Sequence, residues 1–165
     1  MRNYYGWIRA ERISPPVASR LLAYAAVALY EGLASVSPEL RSLAGQLNGL
    51  ESLPGPEAGK RYDPVLVALA AERTVLDSLF AEGLPATRAA IAQLSDSLEA
   101  ARISRGISRA EQANSEELGR RLAAAILAWA DKDGFKETRD KPYRPPQGPQ
   151  FWVNDARADE YSPQN

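Results

Sequence analysis

The 165 residues hold 20 Lys and Arg against 21 Asp and Glu, a net charge of −1, so no charge excess recruits nucleic acid or an anionic membrane. The chain has no cysteine and no histidine. That excludes disulfides and thiolate chemistry and removes the commonest general base and transition-metal ligand, so a zinc, copper or haem site built by this chain alone is not expected. The length fits one domain with a real core.

The first residues, "MRNYYGWIRAERI", are aromatic and charged. They carry no apolar run and no small-residue cleavage site, so they do not read as a leader, and a leader ahead of Met1 would be needed for export. The first predicted helix begins at Ser14, which is placed to cap, with Pro15 and Pro16 in the first turn, where amides lack partners anyway. Leu21, Leu22, Tyr24, Ala25, Leu29 and Leu33 cover most of its circumference, and alanines fill the rest. A helix apolar all round is expected at the centre of a bundle, with Leu22 and Leu29 inside. Only ten uncharged residues separate Arg20 from Glu31, short of the ~20 that a membrane span needs.

"SPEL" at Ser37–Leu40 signals a second helix, with Leu40, Leu43, Leu47, Leu50 and Leu53 on one stripe. Gly45 and Gly49 weaken it by up to ~1 kcal/mol each relative to alanine. "LPGPEAGKRY" reads as a surface loop. A third helix follows Asp63 as cap and Pro64, with Val65, Leu66, Leu69, Val75, Leu76, Leu79 and Phe80 facing inward and Gly83 as its stop. The fourth runs from about Pro85 to Ile103, with Ile91, Leu94, Leu98 and Ala101 as its stripe and Gly106 after it. Ser108 with Glu111 forms a capping box for the fifth, whose face is Leu118, Leu122, Ala125, Ile126 and Trp129.

The fold class is therefore all-α: about five helices packed around an apolar central first helix in residues 1–131. Residues 132–165 are rich in proline and polar residues without a period, and are expected as an extended arm. Tyr143, Phe151 and Trp152 imply that the arm lies on apolar surface, of its own chain or of a neighbour.

Few motifs carry chemistry. "DKDG" at Asp131–Gly134 resembles the start of a calcium loop, but glycine falls at position four and Pro142 at position twelve, so it reads as a helix stop. "SRAE" at Ser108–Glu111 has no base beside it and is a cap. "KPYRPP" at Lys141–Pro146 suits either a proline-rich ligand or a tail on its own protein. Glu31 and Arg20 read as polar edges of the apolar helix. Glu72 and Asp77 are spaced too far apart around their helix to form an acid pair. No catalytic, cofactor-binding or metal-binding residue is assigned. Tyr24, Tyr30 and Trp129 are the candidates to line a small-molecule pocket.

Four passages in order carry a resemblance: Trp7 followed by Pro15–Leu33, "YDPVLVALAAERTVLDSLF", "LGRRLAAAILAWADKDG" and "YRPPQGPQFWV". Together they resemble the N-terminal helical region of bacterial vanadium-dependent haloperoxidase-like proteins, in the type-2 phosphatidic acid phosphatase superfamily. Members commonly carry histidines near the positions of Ala26 and Glu72, where this chain has none. The resemblance implies a catalytic half downstream, built from a lysine-and-arginine motif, a serine-glycine-histidine motif and an arginine-histidine-aspartate motif that bind phosphate or vanadate. Lys141 and Arg144 do not map onto it. The expectation is an inactive helical portion, truncated or a relative that kept only the helical shell, with vanadate belonging to the catalytic half. Its partner is then that half, or a second copy. The alternative is a self-sufficient helical interaction protein that uses its arm as contact segment.

Overall fold

The computed structural model describes residues 2–139, 141–142, 146 and 148–151. They form α1 (Arg2–Ala10), α2 (Pro15–Ala34), α3 (Pro64–Leu79), α4 (Pro85–Ile103), α5 (Arg109–Ala130) and a single turn, α6 (Phe135–Thr138), with no strand among them. The fold is all-α.

The helix starts follow local chemistry. Proline takes the first position of α2, α3 and α4. The Asp63 carboxylate accepts from the Leu66 amide and the Ser108 hydroxyl from the Glu111 amide. Ser14 holds the cap position of α2 but makes no side-chain cap bond.

The predicted centre of the bundle is displaced by one helix. α2 and α3 both contribute to the two apolar clusters, but α3 is the helix that packs against α2, α4 and α5 alike. Val67, Ala71 and Val75 meet Tyr24 and Ala28 of α2 and Leu118, Leu122, Ala123 and Ile126 of α5. Leu76, with Phe80 just past the helix end, meets Trp7 of α1, Leu21 and Ala25 of α2 and Ile91 of α4. Two glycines inside helices set how close these layers come. A Cβ on Gly32 of α2 would stand 2.8 Å from the Ala68 amide nitrogen, and one on Gly119 of α5 would stand 2.6 Å from the Val67 carbonyl oxygen. The helix propensity lost at each, about 1 kcal/mol, is offset by backbone-to-backbone packing that a side chain would forbid.

α2 therefore lies on the outside of α3. It buries Leu21, Tyr24, Ala25, Ala28, Glu31 and Gly32, which share one face. Leu22 is only half-buried, and Leu29 is 36% exposed, against the expectation that both lie inside.

Two further expectations are overturned. No helix forms between Ser37 and Leu53. One turn closes at "SPEL", where the Leu40 amide donates to the Ser37 carbonyl at 3.0 Å. The chain then folds through Gly45 and Gly49, both at positive φ (75° and 76°), a conformation that glycine adopts without penalty. The buried carboxylate of Glu31 accepts from the Ser42 hydroxyl at 2.9 Å and from the Leu43 amide at 2.6 Å. These charge-assisted bonds, with Leu50 buried and its carbonyl accepting from Gly45, hold the loop against a helical alternative. Residues 2–10, read only as a segment that is not a leader, form α1. Its short apolar set seats Trp7 against Phe80, edge to face at 6.4 Å.

Residues after α5 do not leave the body at once. Gly134 is left-handed (φ 80°) and turns the chain into α6. Phe135 stacks under the Arg20 guanidinium at 4.5 Å. Tyr143 and Trp152, two of the three aromatics on which the docked arm rests, lie outside the described residues, as does Arg144, and the third, Phe151, is 41% exposed.

Candidate functional site

The titratable side chains gather where helices meet, and each group is engaged locally. At the end of α5, Arg20 Nε donates to Asp133 Oδ2 at 2.6 Å, and the Tyr24 hydroxyl donates to the same oxygen at 2.9 Å. The Phe135 amide donates to the other carboxylate oxygen, Oδ1. Burial pushes the Asp133 carboxyl up, but the hydrogen bonds from Arg20, Phe135 and Tyr24 outweigh it and hold the group below the usual aspartate range. Burial and the Asp133 carboxylate push the Tyr24 hydroxyl up to about 12. "DKDG" is therefore a helix stop, as expected, whose third residue also pins α2 to α5.

The other polar groups have similar structural uses. Arg102 of α4 donates two N–H groups to Asp63, the Nε–H shared between both carboxylate oxygens, and these hold its carboxyl below the usual range. Its own amide donates to the buried Ser115 hydroxyl at 2.8 Å. The Tyr4 hydroxyl donates to Glu72. Burial raises both groups; the hydrogen bond adds to the rise at Tyr4 and opposes it at Glu72. Asp77 turns outward to Arg73 at 3.6 Å, so Glu72 and Asp77 do not meet. Glu31 is only 1% exposed, not at a polar edge, and its two bonds go to the loop after α2. No cluster of three or more carboxylates that could hold a metal occurs among the described residues.

The three aromatics expected to line one pocket separate. Tyr24 and Trp129 pack edge to face at 5.3 Å, and the Trp129 ring N–H donates to the Asn48 carbonyl at 3.0 Å. Tyr30 instead donates to the Arg41 carbonyl at 2.7 Å. An open depression of about 400 Å³ lies elsewhere, between the ends of α3 and α5 and α6, lined by Arg20, Leu79, Glu82, Leu127, Phe135 and Lys136 among others. Its charges are of both signs, and Arg20 is already committed to Asp133.

What the fold leaves open is a face of α2. The helix has two charged residues, Arg20 and Glu31, and both are engaged by protein groups. Ser19, Ala23, Ala26 and Leu29 point to solvent, flanked by half-buried Leu22, Tyr30 and Leu33. This strip runs along a helix of 20 residues without one charge. By length and composition α2 is also apolar enough to cross a membrane, yet here it lies in the helical body and carries a buried carboxylate. Sequence reasoning found the apolar helix but not which face stays open, because that depends on α3 lying beneath the other one.

No family model matches the chain, and no curated protein matches it. Among solved structures it is similar to one described as the first bacterial vanadium-dependent iodoperoxidase, with 33% identity and a TM-score of 0.71. The match covers 86% of this chain and 33% of that one, so the chain spans about a third of the length of the solved structure it resembles. The chain thus has a haloperoxidase-like helical fold.

Proposed function

We propose that this chain is the N-terminal helical portion of a haloperoxidase- or acid-phosphatase-like protein of the type-2 phosphatidic acid phosphatase superfamily. It serves as a scaffold for a catalytic helical half that carries the vanadate- or phosphate-binding groups. The observation that supports this reading most is the proportion of the structural match: 86% of this chain lies on 33% of a vanadium iodoperoxidase. The uncharged outer face of α2 is the surface offered to that half. Ser19, Ala23 and Ala26 are small enough for a helix to approach closely, and Leu29 supplies apolar area at the end of the strip.

In this reading the chain alone turns over neither halide nor phosphate ester. Histidine, the usual base and nucleophile of such sites, is absent. The engaged arginines form no common anion cradle: Arg20, Arg73 and Arg102 each lie against carboxylates. The test is iodide oxidation by peroxide with added vanadate, and hydrolysis of a phenyl phosphate, by the purified 165-residue chain. No turnover above buffer is expected. Activity that co-purifies with the chain through successive columns and scales with its concentration overturns the proposal.

A further inference from the structure

α4 is fastened by two kinds of contact. In its first half Thr87 and Ile91 are buried, and Leu94 packs beside Ile91. Beyond Leu94 no residue of the helix is fully buried, and Leu98, expected inward, is 45% exposed. The charged side chains that reach the body there are Asp96, Glu99 and Arg102, three residues apart and so on one face. Asp96 takes Arg73 of α3, and Arg102 takes Asp63. Glu99 faces a third carboxylate. With Glu116 of α5 it lines one cavity of about 20 Å³, closed by Leu66, Leu69, Ala70 and Arg73.

The cations nearby are already occupied. Arg73 lies on Asp96 and Asp77. Arg120 reaches Glu116 only at 3.8 Å and Glu117 more closely, at 2.9 Å. Gln112 donates to Glu116 Oε1 at 2.8 Å, so the nearest donor to that carboxylate is a neutral amide and not a cation. Two carboxylates that line one cavity of this size, with Arg73 beside them drawn to Asp96, are stabilised by a proton held between them.

We propose that Glu99 and Glu116 share one proton as a clasp that closes the C-terminal half of α4 onto α5, and that loss of this proton to water releases that half of the helix. In the closed form Glu99 is a carboxylic acid whose O–H donates to the Glu116 carboxylate. In the open form both are anions and repel. The direction of Glu99's titration agrees: burial first, then the Glu116 carboxylate, push it above the ordinary glutamate value of 4.5, while Arg73 opposes. A folded-state value above the unfolded one means that the clasp contributes fully below the ordinary value and is lost as pH rises through the folded one.

The test is amide hydrogen exchange of the full chain at about pH 4.5 and about pH 7.5, corrected for intrinsic rates. Protection over Ser95–Ile103 is expected to fall several-fold at the higher pH, while that over Val67–Val75 of α3 stays constant. Glu99→Gln, neutral at every pH, keeps α4 protected at both; Glu116→Gln does the same, and serves should the first variant fail to fold. Glu72, which also titrates upward, joins α1 to α3 and leaves the α4 readout unmoved. Equal protection of α4 at both pH values in the unaltered chain overturns the proposal. So does a Glu99→Gln chain that keeps the pH dependence, or a carboxyl-carbon titration of Glu99 with its midpoint at the ordinary value.

Discussion

Two of the seams that α3 makes with its neighbours, those with α5 and α4, differ in kind. Against α5 it packs Val67, Ala71 and Val75 on Leu118, Leu122 and Ile126, with Gly119 letting the backbones approach to contact. Against the second half of α4 it offers Arg73, and Asp63 at its N-cap, to charged side chains, and no α4 residue past Ile91 is buried. Apolar packing is indifferent to pH and salt; ion pairs and shared protons are not. One sheet of contacts therefore sets the stability of the domain, and the other sets the conditions under which a single helix stays attached.

The largest effect expected from this contrast is in the apolar seam. Leu122 is fully buried, so Leu122→Ala should cost about 2–5 kcal/mol of unfolding free energy in a urea titration. Leu98→Ala, the same substitution on the open side of α4, should stay within about 0.5 kcal/mol. Equal losses at the two positions would mean that α4 packs its leucine face inward in solution.

The next effect concerns Asp63. Its carboxyl is held low, chiefly by Arg102 and by the Leu66 amide, against the opposing effect of burial. Such a group contributes stability that is present above the ordinary aspartate value and lost as pH falls through its folded value. Asp63→Asn keeps a capping oxygen but loses the charge, and should cost about 1–3 kcal/mol at neutral pH. It should also remove part of the acid slope of the urea midpoint. The sign is opposite to that of Glu99, so two neighbouring contacts in the same half of α4 loosen at opposite ends of the pH scale. An Asp63→Asn chain with the acid slope of the parent would show that Arg102 does not hold this carboxylate.

How much of this was legible in sequence follows from the same distinction. The four long helices were readable because their starts are local: Pro15, Pro64 and Pro85 at first positions, and Asp63 and Ser108 as caps three residues before the amides they accept. The inward face of α5 was readable because leucine and isoleucine at helical spacing have one low-energy place to go. The face of α4 was misread for the opposite reason. Ile91, Leu94, Leu98 and Ala101 make a plausible stripe, and what turns the helix is partners 20 or more residues away: Arg73 for Asp96 and Asp63 for Arg102. The signal present was the spacing of Asp96, Glu99 and Arg102 at three-residue intervals. The segment after α2 was misread because a buried Glu31 captured it, and a carboxylate twelve residues before the leucine whose amide it accepts announces nothing by period. The open face of α2 was hidden by the helix's uniform apolarity, since which side α3 covers is a property of the assembled bundle.

A third way to sharpen the contrast is salt. Arg73 carries Asp96 at the surface, with Asp96's side chain 66% exposed. Raising sodium chloride to about the molar range shortens the screening length to a few ångströms. Hydrogen exchange over Ser95–Ile103 should then quicken modestly, by no more than the ~0.2–1 kcal/mol that exposed pairs contribute, while α5 stays unchanged. Quickening of both helices together would mean that salt acts on the whole domain and not on this seam.

The smallest effect is expected on the outer face of α2, and its smallness is informative. Leu21 and Leu29 lie on the same helix, eight residues apart, with Leu21 buried and Leu29 36% exposed. Leu21→Ala belongs with the core losses, whereas Ala26→Glu and Leu29→Lys place charges where solvent already reaches and should move the urea midpoint by less than about 0.5 kcal/mol. If this strip is the surface for a catalytic half, it is also the surface through which isolated chains stick to one another at high concentration. Sedimentation of the unaltered chain should then show concentration-dependent association that Ala26→Glu and Leu29→Lys abolish without loss of helicity. Should both variants leave the monomer as stable and as prone to associate as before, the uncharged strip of α2 is inert, and the contact with a second body must be made through another face.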